Sequence, residues 1–222
     1  MAEATINFGA SGGFGDIVGW NHIDNSSPNS KDRATASDEI GNEAASNMHN
    51  ERTEYSDSYE TPLAGSAPNI PAEIGDIINS ILLTRIRVET DGTSYAKMTL
   101  EGHQHADNPH TSENTVAHGI TLDDGFGVTD FLGGTAGANA SCVRSDITIE
   151  CEHLDETDGD GDHLVGENYN PRMTANSEWV GTPTEPNADS TWDIQSSSPT
   201  HGNTAYERVT YTGVKALEFS LS

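Results

Sequence analysis

Positive charge is scarce in this chain: 10 Lys and Arg stand against 36 Asp and Glu among 222 residues, a formal net charge of -26. Phosphate backbones are gripped by Lys and Arg, so this balance argues against a protein that holds nucleic acid. The same repulsion suits a surface that DNA passes without sticking. Salt adaptation is a second reading of the acidity, since lysine occurs only at Lys31, Lys97 and Lys215, but 17 asparagines give it less weight. No apolar run approaches the roughly 18 residues that suggest a membrane-spanning helix. The opening "MAEATINFGASGG" has neither a basic start nor a continuous apolar stretch, so it is not read as a signal peptide. Cysteine is limited to Cys142 and Cys151, near enough in sequence for a small bridge across a bend but expected to be free thiols. Catalytic signatures are missing too: there is no GxSxG, no Walker loop, no HExxH and no CxxC. "GASGGFG" (9-15) is glycine-rich but lacks the lysine of a phosphate loop. Carboxylate pairs are so common in so acidic a chain that none singles itself out. No enzymatic activity, catalytic residue or cofactor is therefore expected.

What the chain does have is internal likeness. "TSYAKMTLEG" (93-102) returns as "TAYERVTYTG" (204-213), and "DEIGNEAASNMHNER" (38-52) returns as "DGDGDHLVGENYNPR" (158-172). "INFGASGGFGDIVG" (6-19) is echoed by "ITLDDGFGVTDFLG" (120-133). The blocks keep their order, at offsets of 111 and 120 residues for the first two and of 112 for the Gly-Phe-Gly shared by the third (13-15 and 125-127). Tyr59 falls opposite Trp179, and Arg52 opposite Arg172. The pattern predicts an all-β protein with little helix, made of two tandem homologous β-sandwich or half-barrel domains. Their bounds are 1-104 and 118-222, with a His-rich polar linker over 105-117.

Alternation supports the strands. "ILLTRIRVE" (81-89) puts Leu82, Ile86 and Val88 on one face, and "DG" (91-92) turns the chain into "SYAKMTLEG". "DITIECEH" (146-153) puts Ile147, Ile149 and Cys151 inward. "AYERVTYTG" separates Tyr206, Arg208 and Thr210 from Val209 and Tyr211. One amphipathic helix is predicted over 71-82, where Ile74, Ile77, Ile78 and Ile81 have helical spacing behind Pro71, although a strand over its second half fits nearly as well. The polar stretches 20-37 and 183-192 read as long loops that bury little alone.

Two clusters raise the question of metals. "GHQHADNPH" (102-110) holds His103, His105, Asp107 and His110, a set with the chemistry to ligate zinc. It begins where a framework strand ends and runs on through a Pro-broken polar stretch, so a linker that happens to be polar and His-bearing is the reading adopted. Asp155, Glu156, Asp158, Asp160 and Asp162 suggest a calcium loop, but His163 follows where Gly is needed and Tyr169 replaces the bidentate Glu. A solvated hairpin turn is the reading adopted for Asp158, Asp160 and Asp162.

A strand of the type D-x-x-G-[ND]…N-x-R, an extended stretch, and a hairpin T-x-Y-x-[KR]-x-T-x-x-G recur over most of both repeats. This pattern resembles small virion proteins of tailed bacteriophages and is most similar to the tail-tube family. The resemblance implies domains whose sheets join around a ring enclosing a DNA channel, and for a duplicated chain a ring of three subunits. The implied partners are further copies in rings and stacked tubes, other virion proteins, and DNA as a passing polyanion, with no membrane. The implied location is the phage tail, after synthesis in the host cytoplasm. Framework positions would be Tyr95 and Tyr206 in the hairpins, Tyr59 and Trp179 in the cores or ring seams, and Arg52 and Arg172, each paired with a carboxylate. Head decoration or head-tail connector proteins share this architecture. An extracellular carbohydrate-binding or adhesin module would instead use Trp20, Trp179 and Trp192 as sugar platforms. A hydrolase would require zinc at the histidines.

Overall fold

A computed structural model describes residues 13-61, 70-91, 96-105, 110, 114-120, 122-123, 127-128, 140-158, 162-181, 192-200 and 207-219. Among these the chain is all-β. Its strands are β1 (Asn21–Ser26), β2 (Asn29–Ser37), β3 (Glu43–Glu60), β4 (Glu73–Ile74), β5 (Ile77–Ile78), β6 (Ile81–Asp91) and β7 (Lys97–His105). There follow β8 (Val116–Ala117), β9 (Leu122–Asp123), β10 (Gly127–Val128), β11 (Ala140–Thr157), β12 (His163–Gly181), β13 (Asp193–Thr200) and β14 (Arg208–Ala216).

Ten strands form one antiparallel sheet in the order β1-β3-β7-β6-β11-β12-β14-β13, with β2 added to β3 and β5 to β6. Two small ribbons, β4 with β8 and β9 with β10, lie apart from it. Strand alternation sorts the side chains by face. Tyr59, Ile86, Val88, Met98, Leu100, Ile147, Ile149, Met173, Ala175, Val209 and Tyr211 are buried on one side. Phe14, Trp20, Ile74 and Val116 cover that side and complete one continuous apolar core.

The opposite face is polar. Arg85, Arg87, Lys97, Arg144, Arg172 and Arg208 lie on it, six of the ten basic residues in the chain, alternating with the buried positions along β6, β7, β11, β12 and β14. Carboxylates stand beside them: Arg87 reaches Asp146 at 2.7 Å, Arg85 reaches Glu101 at 3.2 Å, and Arg172 reaches Glu150 at 2.8 Å. Arg208 pairs with Glu178. These pairs are partly solvated, so each contributes little: Arg172→Ala is expected to lower stability by no more than about 1 kcal/mol, read from urea denaturation.

The register of the first half coincides with that of the second. β1 and β2 meet β3 from Asn21↔Glu60 to Ser37↔Glu43, with bulges at His22/Asp24, Ser30/Asp32 and Ala36/Ser37. Raising every number by 120 gives the pairs of β11 with β12, from Ser141↔Val180 to Thr157↔His163, and their bulges at Cys142/Arg144, Glu150/Glu152 and Glu156/Thr157. Tyr59↔Met98 in β3 and β7 corresponds to Trp179↔Val209 in β12 and β14. Val88↔Met98 in β6 and β7 corresponds to Pro199↔Val209 in β13 and β14. Each half thus supplies a four-strand path, and β6 joins β11 between them through Asp91↔Arg144 to Arg85↔Glu150.

Two expectations are corrected. No helix forms over 71-82: Gly75 takes φ +88, and Asn79 and Ser80 take φ 52 and 68. Two consecutive left-handed residues make the tight two-residue hairpin turn that sets Ile78 opposite Ile81. Of the isoleucines at helical spacing, Ile74 in β4 and Ile81 at the start of β6 are buried in the core and Ile78 in β5 packs against it, while Ile77 is only half-buried. The stretch 20-37 is also not a loop but β1 and β2. The positions 92-95, 183-191 and 201-206, with Tyr95 and Tyr206, lie outside the described residues.

Candidate metal centre

β6 begins at Ile81, and its partners outrun it. β7 pairs with β6 as far as His103 and continues to His105. β11 pairs with β6 as far as Glu150 and continues to Thr157. The two overhanging ends converge where β6 is missing. His103 and His105 come from β7, His153 and Asp155 from β11, His163 from the start of β12, and His110 from the chain beyond β7.

The imidazoles pack closely. His105 stacks on His163 with centroids 4.1 Å apart, and His103, His110 and His153 stand 4.9–5.2 Å from one another. His103, His105 and His110 are 7, 2 and 5% exposed, so these three side chains are buried although the stretch around them is polar in sequence. All the rings surround one carboxylate. His153 Nε2 lies 2.8 Å, His105 Nε2 3.2 Å and His163 Nε2 3.3 Å from Asp155 Oδ1, while His103 Nε2 is 3.7 Å from Asp155 Oδ2. One ligand atom each from His103, His105, His110 and Asp155 falls within a span of 4.8 Å.

Burial sets the protonation. It pushes His103 down to about 3 and His110 down to about 4, with the neighbouring histidines adding to the effect and Asp155 opposing it, so both rings are neutral near pH 7. Burial alone would raise the Asp155 carboxyl, but the imidazoles of His105, His153 and His103 outweigh it and hold Asp155 well below the usual carboxylate range.

Neighbours that show no local sequence signal orient the cluster. Asn168, 1% exposed, donates from Nδ2 to the Asn114 carbonyl at 3.0 Å, which turns its Oδ1 toward His153 Nδ1 at 2.7 Å. His153 must therefore donate from Nδ1, the arrangement that fixes the tautomer of a metal-bound imidazole. Gly166, opposite Asp155 in the ladder, leaves room for the ring: a Cβ there would come within 2.5 Å of His153 Nε2. Gly75 does the same for Asn168, since its Cβ would stand 2.7 Å from Asn168 Nδ2. His118 is the contrasting case, a buried histidine with its needs met by the Pro71 carbonyl at 2.6 Å and the Ile120 N–H at 3.0 Å.

The other sequence candidates lie elsewhere. Asp158 and Asp162 are exposed at the turn from β11 to β12, where Asp158 Oδ1 accepts from Asp162 N at 3.1 Å; Asp160 is outside the described residues. Asp38 serves the matching turn from β2 to β3, accepting from Asn42 N at 2.8 Å. Arg52 pairs with Glu54 at 2.5 Å and approaches Asp155 at 3.7 Å, so it borders the histidine cluster, while its counterpart Arg172 pairs with Glu150. Tyr59 and Trp179 are both buried in the core. Each bonds to the position two residues before it: the Tyr59 hydroxyl lies 3.3 Å from Asp57 Oδ2, and Trp179 Nε1 donates to Ser177 Oγ at 3.0 Å. Trp20 is buried as well, so neither it nor Trp179 offers a ring face to a sugar. Cys151 is a buried free thiol, its pKa pushed up to about 12 by burial. In comparisons with known proteins, the chain matches no family model and no curated protein.

Proposed function

We propose that this chain is a self-assembling virion structural protein of the tail-tube kind, built from two copies of one four-strand unit and closing into rings of three subunits. The observation that carries this reading is the joint between β6 and β11. It ties the last strand of one unit to the first strand of a second unit that has the same internal register. The counterparts of those strands, β13 and the pair β1 and β2, are the borders of the sheet, and their residues are largely exposed. Repeating the internal joint between chains is a head-to-tail contact, which closes a ring when the rotation per unit allows it. Six units make such a ring from three chains.

Two further features support the reading. β7 covers β3 only over Arg52–Glu60, so the stretch from Glu43 to Glu51 pairs with β2 alone. A lone two-stranded ribbon is marginal in water, and a neighbouring subunit would support it. The polar face of the sheet, with its arginines matched by carboxylates, would line the channel, and charges already paired within the wall give a passing phosphate no cation to hold. Head decoration and connector proteins remain related alternatives that differ in ring size and stacking, whereas the buried Trp20 and Trp179 weigh against a sugar-binding module.

The internal joint specifies the test. Moving Arg85 forward by 111 and Glu150 back by 120 turns the pair Arg85↔Glu150 into Ser196 of one chain opposite Ser30 of the next. The double variant Ser30→Cys, Ser196→Cys is expected to oxidise into covalent species that end at a closed trimer on non-reducing gels, with neither single variant doing so. Negative-stain images of the unmodified protein should show rings or tubes. Rings without the cross-link would reject this joint, and monomers at every concentration would reject assembly itself.

A further inference from the structure

We propose that His103, His105, His110 and Asp155 bind one zinc-class divalent ion, with His153 and His163 completing its surroundings, and that this ion clamps the end of β7 to the hairpin of β11 and β12. The inference does not depend on ring assembly.

The donor set selects the metal. Imidazole nitrogens with a single carboxylate suit zinc and its neighbours in the first transition row, whereas calcium and magnesium require sets dominated by oxygen. Two ligands on a tetrahedral ion with bonds of about 2.0–2.1 Å stand about 3.3–3.4 Å apart. The approach of His105 to Asp155 Oδ1, 3.2 Å, is close to that edge.

The hydrogen-bonding account points the same way. His103 Nε2 and His105 Nδ1 are buried without a hydrogen bond, and leaving a buried polar atom unsatisfied is costly. His153 has its Nδ1 proton committed to Asn168, so its Nε2 faces a carboxylate oxygen at 2.8 Å with no proton left to give in the neutral ring. A second proton or a cation must lie between them. A proton would ease that single contact and leave His103 and His105 as they are, whereas an ion uses all of these lone pairs together.

The site belongs to one joint only. With the same shifts of 111 and 120, the counterparts of His103, His105, His153, Asp155 and His163 are Val214, Ala216, Arg33, Thr35 and Glu43, which could not ligate zinc as a set. The ion would thus reinforce the bond within a chain and leave an equivalent contact between chains metal-free.

The test uses the full-length protein, stripped with a chelator and titrated with Zn²⁺ by calorimetry and with Co²⁺ by visible absorption. One ion per chain is expected, with at least micromolar affinity for Zn²⁺, the intense bands of a tetrahedral Co²⁺ site, and a rise in melting temperature on loading. Asp155→Asn and His105→Gln should weaken binding by more than the 10–100-fold typical of losing an outer partner. Asn168→Ala should fall within about that range, and Asp158→Asn, at the exposed turn, should leave binding unchanged. Absence of uptake by the unmodified protein would overturn the proposal whatever the variants do. So would uptake that Asp155→Asn leaves intact, or that Asp158→Asn abolishes.

Discussion

Replacing Asp57 by alanine is expected to destabilise the protein by up to about 6 kcal/mol, since one buried and one half-buried donor are left without an acceptor at about 1–3 kcal/mol each, the half-buried one at the low end. For a chain of this size that lowers the melting temperature by up to about 20 °C, read by circular dichroism. Asp57 is fully buried in β3 and holds the N-terminal segment onto the sheet. Its Oδ2 accepts from Phe14 N at 2.7 Å and its Oδ1 from Asn25 Nδ2 at 2.6 Å. Gly13 permits the approach, because a Cβ there would fall 2.1 Å from Asp57 Oδ2. With the carboxylate gone, Phe14 loses the anchor that holds its ring in the core. Tyr59→Phe is a milder test, because it removes a single hydroxyl proton, held mainly by the Gly15 carbonyl at 2.9 Å with Asp57 Oδ2 at 3.3 Å, a loss of about 0.5–1.5 kcal/mol. The Asp57 loss should hardly change with added salt, since screening acts weakly on buried groups.

Strands that bury one face were legible in the sequence, and structure that buries neither face was not. Ile147, Ile149 and Cys151 alternate with Thr148, Glu150 and Glu152, and β11 follows that pattern. β1 and β2 present "NHIDNSSPNSKD", a border exposed along most of its length, so no period marks it and it reads as a loop. The 71-82 segment fails differently, since four isoleucines at helical spacing also arise from short strands broken by left-handed turns. Gly75, unfavourable in a helix, and the near-equal fit of a strand over the second half were the hints of this. The histidine centre stayed hidden because its parts lie 50 and 60 residues apart in the chain, from His103 to His153 and to His163, and meet only where β6 stops short. A signal was available in the repeat alignment: none of the described counterparts of these histidines is histidine, so nothing in the shared framework requires them. Asn168 and Gly166 gave no signal, because their roles exist only beside His153.

Ile149→Ala is expected to cost about 2–5 kcal/mol and, more tellingly, to lower the stability of both halves together. Ile149 sits directly opposite Ile86 across the joint of β6 and β11, and neither exposes any surface. Val88 and Ile147 are the adjoining pair. Separating the halves would thus open a seam of the same core that Tyr59 and Trp179 share. Trp20 and Trp179 are buried in the first and second halves respectively, so variants that retain one or the other report each half by fluorescence. Coincident unfolding midpoints are expected from the two probes, and Ile149→Ala should shift them equally. A fall at Trp179 with Trp20 unmoved would mean two independently stable domains that merely touch. The joint would then be an incidental contact, and its repetition between chains would lose its physical basis.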